Sequence, residues 1–246
     1  MSIQQSKLHW DDLGNLDPCW AILSEPGRRY GGWDLTQFFA TGQAEIAEVM
    51  RAADYFGLPT EKGWALDFGC GIGRLTNALA SQFRRVVGID ISQSMIRQAE
   101  CLNQQTNCEY LVNSSDSLPF SSAHFDLIYT AIVLQHMLKQ DSIRQYISEF
   151  MRILKPGGLL VMQLPSHIPL RRRLQVRRRL YAWLRMVGIS EQVLYNRFHL
   201  HPIPMNFLPE SEVATIVASA GGRILEARPD QRAGPRITSR TYFVAK

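Results

Sequence analysis

The chain has 246 residues, of which 46% are hydrophobic and 20% charged, values typical of a soluble globular protein with a substantial core. It contains no run of 18 uncharged apolar residues, and its opening MSIQQSKLHWDDLG lacks the apolar stretch of a secretory signal. The sequence therefore argues against a membrane-spanning helix and against export, and we expect a cytoplasmic protein.

Cysteine spacing and charge distribution narrow the protein class further. The four cysteines are Cys19, Cys70, Cys101 and Cys108. They form no CxxC pair and no His cluster accompanies them, which predicts reduced thiols and no metal site. The net charge of +5 is uneven, because residues 1–165 contain 13 Lys+Arg and 17 Asp+Glu, whereas residues 166–246 contain 14 and 5. Such asymmetry is typical of a surface that meets acidic partners.

Residues 1–60 contain many aromatic side chains and show no strand-like alternation. Within them, GQAEIAEVMRAADYFGL (42–58) has apolar residues at helical spacing, which predicts a helix that ends at Pro59. These apolar positions are Ile46, Val49, Met50, Ala53 and Phe56. We interpret residues 1–60 as an N-terminal helical and aromatic lid, and residues 61–246 as the core domain.

From residue 64 onward, short apolar strands alternate with helical patterns. The predicted strands are WALDFG (64–69), RVVGID (85–90), CEYLVN (108–113), FDLIYTAIV (125–133), GLLVMQL (158–164) and a closing pair, RILEARP and TYFVA. The predicted helices are GRLTNALASQF (73–83), SQSMIRQAECLNQQ (92–105) with Ser92 as N-cap, DSIRQYISEFMRIL (141–154) closed by a breaker at 155–158, and PESEVATIVASAGG (209–222). This alternation predicts an α/β fold with a doubly wound, mostly parallel sheet of seven strands and a basic insertion at about 166–208, after strand 5.

The loop after the first predicted strand, LDFGCGIGRLT (66–76), has glycines at three alternate positions. A P-loop is excluded because its Lys and Ser/Thr are missing in register. A dinucleotide fingerprint is disfavoured because Arg74 or Thr76 stands where its third glycine should be. The pattern that fits is acid-x-Gly-x-Gly-x-Gly, formed by Asp67, Gly69, Gly71 and Gly73. Asp90, which ends the second strand, can accept hydrogen bonds from both hydroxyls of a ribose.

Together these motifs resemble the class I S-adenosylmethionine-dependent methyltransferases, which have a Rossmann-like fold. LDFGCGIGRLT resembles the first motif of that family, and VVGIDIS its ribose-binding strand end. DSLPFSSAHFDLIYTAIVLQHM resembles the segment from the adenine loop through strand 4, and EFMRILKPGGLLVMQLP the signature of a helix, a turn and strand 5. The resemblance covers residues 64–165 and implies S-adenosylmethionine as the cofactor, with no metal required.

The resemblance also implies roles for matching residues. The methionine part of the cofactor would be lined by Gly69, Cys70, Gly71 and Gly73. Asp67 would help orient the ammonium group, although a local role in capping amides stays open. Asp90 would bind the ribose, and Ile91 would pack on the adenine.

The adenine amine of the cofactor usually meets an acid in the loop after strand 3, which here is VNSSDSLPF. Ser114 stands where many relatives have Asp. Ser115 and Asp116 follow it, and we take these two as the candidate adenine contacts.

Candidate acceptor residues lie after strand 4 and in the insertion. His136, in LQHM, is a candidate general base or acceptor contact, and a structural histidine is the other interpretation. Gln135 is a candidate acceptor contact beside it. His199 and His201 are candidate lid contacts, because a histidine pair without a third ligand is a poor metal site.

The stretch RRRLQVRRRLYAWLR (171–185) contains seven arginines. It predicts a basic amphipathic helix, whose apolar face comprises Val176, Leu180, Trp183, Leu184 and Val187. A solvated face, peripheral contact with an anionic membrane or lipid-linked acceptor, and binding of an acidic small molecule all stay open. Nucleic acid is not expected, because no NPPY-type motif follows strand 4 and no known RNA-binding module is present.

We therefore predict a methyltransferase that modifies a small-molecule, lipid-linked or glycan-linked acceptor, with oxygen as the favoured atom. An RNA methyltransferase and a non-catalytic S-adenosylmethionine-binding protein are the alternatives. A nicotinamide oxidoreductase is disfavoured by Arg74 and Thr76, and the sequence does not predict the oligomeric state.

Overall fold

A computed structural model describes residues 3–25, 27–29 and 31–246, with Asn196 described by its backbone alone. The helices are α1 (Ile3–Leu16), α2 (Pro18–Ile22), α3 (Leu35–Phe56), α4 (Arg74–Leu79), α5 (Gln93–Leu102), α6 (Gln140–Ile153), α7 (Leu170–Arg173), α8 (Val176–Met186), α9 (Glu191–Asn196) and α10 (Glu210–Ser219), with a short 3-10 helix at Leu134–His136. The strands are β1 (Trp64–Phe68), β2 (Arg85–Asp90), β3 (Cys108–Val112), β4 (Phe125–Thr130), β5 (Leu154–His167), β6 (Arg223–Asp230) and β7 (Thr238–Ala245).

The seven strands form one sheet in the order β3-β2-β1-β4-β5-β7-β6. Strands β1 to β5 pair in parallel, and β7 lies antiparallel between β5 and β6. The predicted doubly wound, mostly parallel sheet and its closing pair are confirmed. Strand order reverses beside β1, so the carboxyl ends of β1, β2 and β4 surround a crevice of the kind that binds ligands in such sheets.

Alternating side chains of the strands build a core on each face of the sheet. On one face Leu66 and Ile128 pack with apolar side chains of α6 and α10. On the other face Ala65 and Leu127 pack with α3 and α4. Helix α3 is thus a layer of the core, and it approaches α4 so closely that a Cβ on Gly42 would overlap the Arg74 backbone.

Local chemistry sets where several elements begin and end. The Ser92 hydroxyl accepts the Met95 amide at 3.1 Å, which confirms the predicted N-cap of α5. Asp34 caps α3 by accepting the Gln37 amide at 2.9 Å, and Gly57 ends that helix in the left-handed region. The sequence prediction placed the start of α3 too late, because aromatic residues hid the pattern of its first turns.

Several predicted boundaries are wrong. Strand β5 begins at Leu154, because the expected breaker at 155–158 continues the strand and its edge pairing with β4. Strand β4 ends at Thr130, before the predicted residue 133, where the chain turns toward the crevice. Helix α4 ends at Leu79 and is shorter than the predicted 73–83.

The insertion carries α7, α8 and α9. It has a small apolar core of its own, made by Tyr181, Leu194, Tyr195 and Leu200. Among the described residues, no helix is long and apolar enough to cross a membrane.

Candidate active site

A cavity of about 350 Å³ opens at the carboxyl ends of β1, β2, β3 and β4. Its floor comes from residues that follow those strands, namely Gly69, Gly71, Asp90, Ile91, Asn113, Asp116 and 131–133. Helices α1 and α2 close it from the other side through Ile3, Ser6, Trp10, Ala21 and Ile22. The volume falls in the range of small-molecule sites.

The glycine loop brings main chain to the cavity wall. Gly69 and Gly71 have φ angles of 79° and 54°, a left-handed conformation that glycine adopts without strain. The Gly69 amide donates to the Ile89 carbonyl at 2.8 Å, which fastens the loop to β2. A Cβ on Gly71 would overlap Ile22, so the absence of a side chain lets α2 rest on the loop.

Asp90 is held by main-chain amides at the end of β2. Its Oδ2 accepts the Gly71 amide at 2.9 Å, and its Oδ1 accepts the Ser92 amide at 2.8 Å. Burial raises the pKa of Asp90, while the amides of Ser92 and Gly71 act in the opposite direction. Each carboxylate oxygen keeps a second lone pair, so Asp90 can accept two hydroxyl groups from the cavity.

Three residues of the first motif that were predicted to contact the cofactor do not line the cavity. Asp67 is fully buried behind the loop and accepts the Thr76 hydroxyl at 2.6 Å, and burial raises its pKa to about 7. Cys70 packs against α5, and burial raises the pKa of its thiol well above the ordinary value. Gly73 caps α4 beneath Tyr110.

Of the two candidate adenine contacts in the loop after β3, one lines the cavity and the other does not. Asn113 and the exposed Asp116 line the cavity, and Ser114 and Ser115 do not. The carbonyl of Ser115 instead accepts the Tyr146 hydroxyl at 2.9 Å, which anchors the loop to α6. The sequence did not single out Asn113, since only its position one residue after β3 indicates a role.

A second cavity of about 280 Å³ adjoins the first. The residues that line both are Trp10, Ala21, Ile22, Ile132 and His136. Beyond this shared wall, the second cavity is lined by Gln135, by the insertion and by the turn between β6 and β7.

His136 stands in the shared wall with one defined tautomer. Its Nδ1 lies 2.9 Å from the Pro204 carbonyl, which can only accept, so Nδ1 carries the proton. Its Nε2 is 3.2 Å from the Gln135 amide nitrogen, which donates to it. Burial lowers the pKa of His136, against the opposite effect of the Pro204 carbonyl. The ring is therefore a neutral base at physiological pH.

Two features beside His136 mark this wall as specialised. Gln135 is buried, and its Oε1 has no hydrogen-bond partner within the described chain. Ile132 has a φ of 61°, which is strained for a β-branched residue, and the buried Gln163 side chain holds its amide at 2.9 Å. Strain of this kind concentrates at functional sites.

Residues 66–162 match a family model described as a methyltransferase domain. The chain is 31% identical over 121 residues to the malonyl-[acyl-carrier protein] O-methyltransferase of Hahella chejuensis, covering 48% of this chain and 41% of that relative. It is 28% identical over 165 residues to the 2-methyl-6-phytyl-1,4-hydroquinone methyltransferase of Synechocystis, covering 65% and 50%.

Among solved structures, the magnesium protoporphyrin IX methyltransferase of Synechocystis with bound SAH superposes with a TM-score of 0.64, at 17% identity and over 99% of both chains. This likeness shows the fold. Residues 66–162 are therefore a methyltransferase domain, and its motifs resemble those of the class I S-adenosylmethionine-dependent family. S-adenosylmethionine is the cofactor of such domains, and the first cavity presents the free acceptor positions of Asp90 and the apolar Ile91. The chain spans half or less of the length of the two curated relatives.

The fold brings some of the predicted acceptor residues together and leaves another apart. Gln135 and His201 line the second cavity with His136. His199 is exposed and lines neither cavity, although its carbonyl accepts Arg177 at 2.7 Å. The lid prediction for residues 1–60 and the assigned role of each site residue stay predictions.

A buried network of charged residues beside the second cavity was not predicted from the sequence. Glu45 of α3 accepts Arg74 at 2.8 Å and also accepts Arg232 and the Tyr129 hydroxyl. Burial alone would raise the pKa of Glu45, but Arg74 and Arg232 hold it below the ordinary value. Arg74, awkward in a dinucleotide loop, thus joins α4 to α3, and its distance in sequence from Glu45 left no local signal.

Proposed function

We propose that this protein is a methyltransferase that transfers a methyl group from S-adenosylmethionine to a small or lipid-linked acceptor, at oxygen. The acceptor occupies the second cavity, and His136 is its general base. The single observation that carries the proposal is the position of His136, with a neutral imidazole of fixed tautomer, in the wall that separates the two cavities.

The first cavity supplies the cofactor contacts. Asp90 accepts the ribose hydroxyls, Ile91 packs on the adenine, and Asp116 or Asn113 accepts the adenine amine. The main chain of Gly69 and Gly71 lies next to the methionine part of the cofactor. Neither position has room for a side chain, because a Cβ there would overlap the neighbouring wall of the cavity. When bound, this cofactor supplies an electrophilic methyl group on a sulfonium.

The residues around the second cavity prepare the acceptor. Once the acceptor hydroxyl displaces the Gln135 amide from His136 Nε2, the lone pair there takes the hydroxyl proton. The Pro204 carbonyl stabilises the resulting imidazolium through Nδ1. The unpartnered Oε1 of Gln135 accepts a hydrogen bond from a second N–H or O–H group of the substrate that is methylated. Helices α1 and α2 contribute walls to both cavities, which favours alignment of nucleophile and methyl group, the main source of rate in such displacements.

The named relatives support a small acceptor of this class. One is a methyltransferase of a malonyl group on acyl carrier protein, and another of a phytyl hydroquinone. Both acceptors carry oxygen atoms and a long carrier or chain, which fits a cavity that continues into the insertion.

Calorimetric titration with S-adenosylmethionine, S-adenosylhomocysteine and NAD tests the cofactor step. We expect micromolar binding of the first two by the wild-type protein, and loss of that binding in Asp90→Ala. Asp54→Ala, which removes an exposed acid of α3, is the matched control and should bind normally. Transfer of labelled methyl to a panel of hydroxyl and carboxyl acceptors then tests the activity. Cofactor binding without transfer to any acceptor would favour a binding protein, and no binding would refute the proposal.

A further inference from the structure

The apolar stripe of α8 faces outward. Val176, Leu180 and Trp183 lie at helical spacing and Val187 continues the row, which places all four on one face. These residues are all exposed: Val176 61%, Leu180 44%, Trp183 55% and Val187 58%. A helix on the surface of a globular protein ordinarily turns such a stripe toward the core.

The opposite side of α8 fixes this orientation. Tyr181 is buried, stacks on Tyr195 with ring centroids 5.9 Å apart and meets His9 of α1 edge-on at 6.1 Å. Arg178 donates to the Pro202 carbonyl at 3.0 Å. Turning the stripe inward would break these contacts, so the outward stripe is a property of the fold.

Positive charge surrounds the stripe. Residues 166–190 contain seven arginines and no acidic residue. Arg177 and Arg179 flank the stripe on α8 and are exposed, and the preceding α7 adds three arginines between the exposed Leu170 and Leu174. Exposed apolar side chains bordered by arginines are the chemistry of a helix that lies in a membrane interface.

We infer that α8 docks flat on an anionic lipid bilayer, with the stripe among the acyl chains and the arginines at the lipid phosphates. A nucleic acid would meet the arginines but would leave the stripe in water. A second copy of this chain would cover the stripe but would oppose two sets of arginines. A bilayer satisfies both the apolar and the charged groups.

Docking there brings the bilayer near the acceptor site, a consequence that rests on the proposed function. Tyr195 and Leu200 form the small core beneath α8 and also line the second cavity. An acceptor dissolved in the bilayer would therefore reach the cavity through the element that binds the membrane, which points to an amphiphilic acceptor.

Co-sedimentation of the full chain with vesicles tests the inference. We expect at least 10-fold stronger binding to vesicles of phosphatidylcholine with 30% phosphatidylglycerol than to pure phosphatidylcholine. Leu180→Ser/Trp183→Ser and, separately, Arg177→Glu/Arg179→Glu should each weaken the anionic binding at least 10-fold. Leu35→Ser/Tyr55→Ser, which alters two exposed apolar residues of α3, is the matched control and should bind like the wild type.

Circular dichroism and cofactor calorimetry establish that each variant is folded, so the vesicle result is independent of methyl transfer. Equal binding by wild type and α8 variants, or no anionic binding by the wild type, overturns the inference. Binding of a labelled RNA instead of vesicles assigns the surface to nucleic acid. A wild-type dimer that Leu180→Ser/Trp183→Ser dissociates, without vesicle binding, assigns it to a second copy.

Discussion

His136 Nδ1 donates a hydrogen bond to the carbonyl oxygen of Pro204, 2.9 Å away. The donor follows β4 and the acceptor lies at the end of the insertion, so the insertion orients a side chain of the core. This contact leaves Nε2 with a lone pair at the boundary of the two cavities. A bound Nδ1–H and a lone pair on Nε2 are what a histidine base requires, and here the Gln135 amide holds that lone pair until an acceptor replaces it.

Replacing His136 tests the proposed base. We expect His136→Ala to lower kcat by about 10²- to 10⁴-fold, the usual contribution of general acid–base catalysis, while cofactor affinity measured by calorimetry stays within about threefold. His199→Ala, an exposed histidine off both cavities, should leave kcat unchanged. Because burial lowers the pKa of His136 below 6.5, the wild-type rate should fall only on the acid side of that pH. Unchanged kcat in His136→Ala would assign the histidine to structure.

The adenine contact is resolved by a paired substitution. Asp116 lines the first cavity. Ser115 does not, and its carbonyl accepts a hydrogen bond from the Tyr146 hydroxyl. We expect Asp116→Ala to weaken S-adenosylhomocysteine binding about 3- to 10-fold, the value of an exposed hydrogen bond, and Ser115→Ala to leave it within about twofold. The calorimetric ratio of the two variants is the measurement. The reverse order would place the adenine nearer Ser115.

Local sequence patterns were sufficient for the sheet and the cofactor loop. Short apolar runs separated by helical periodicity predicted β1 to β5, and the closing pair followed from two further runs. Gly69 and Gly71 belong to one local motif, and Asp90 was placed beside them because it ends the next strand of the same parallel pair. Such features need no knowledge of tertiary contacts.

Other features depended on distant contacts and could not be predicted. The second cavity joins α1, the end of β4, the insertion and the turn after β6, and no local pattern links those segments. The apolar face of α8 was predicted with Leu184 in it, but Leu184 packs against the small core of the insertion and the other four residues face outward. That direction depends on how Tyr181 packs on Tyr195. Asp67 fitted the family motif, yet its side chain is buried and accepts the Thr76 hydroxyl of α4, a contact that the motif does not indicate.

The network around Glu45 predicts a large effect on stability. Glu45→Ala leaves Arg74 and Arg232 without their shared carboxylate, and breaking a buried ion pair costs about 3–5 kcal/mol. Glu48→Ala, on the same helix, removes an exposed pair with Arg51 at 3.6 Å, which is worth at most about 1 kcal/mol. Urea unfolding of both variants at pH 7 measures the difference. Because the folded pKa of Glu45 lies below 4.5, the stabilisation is present above that pH and is lost as the pH falls through the folded value. Equal costs for the two variants would show that the network contributes little.

Asp12 makes the contact between α1 and the insertion sensitive to pH. Its carboxyl group lies with Glu191 of α9 and His9 in a cluster whose polar atoms are within 4.8 Å of one another. Burial and the hydrogen bond with Glu191 raise the pKa of Asp12 from 3.8 to about 6. The folded state therefore binds more protons than the unfolded state between these values, so stability from this group is present at pH 4 and is lost as the pH rises through 6.

Asp12→Asn removes that loss and keeps a hydrogen-bonding side chain beside Glu191. We expect the Tm of Asp12→Asn to exceed that of the wild type by a margin that grows from pH 4 to 6 and is constant from pH 6.5 to 8. Thermal unfolding of both proteins across this range is the measurement, and Asp54→Asn, an exposed acid of α3, should follow the wild type. A margin independent of pH would mean that Asp12 titrates alike in the folded and unfolded chains. The carboxyl pair would then not control how α1, and with it the roof of both cavities, is held to the insertion.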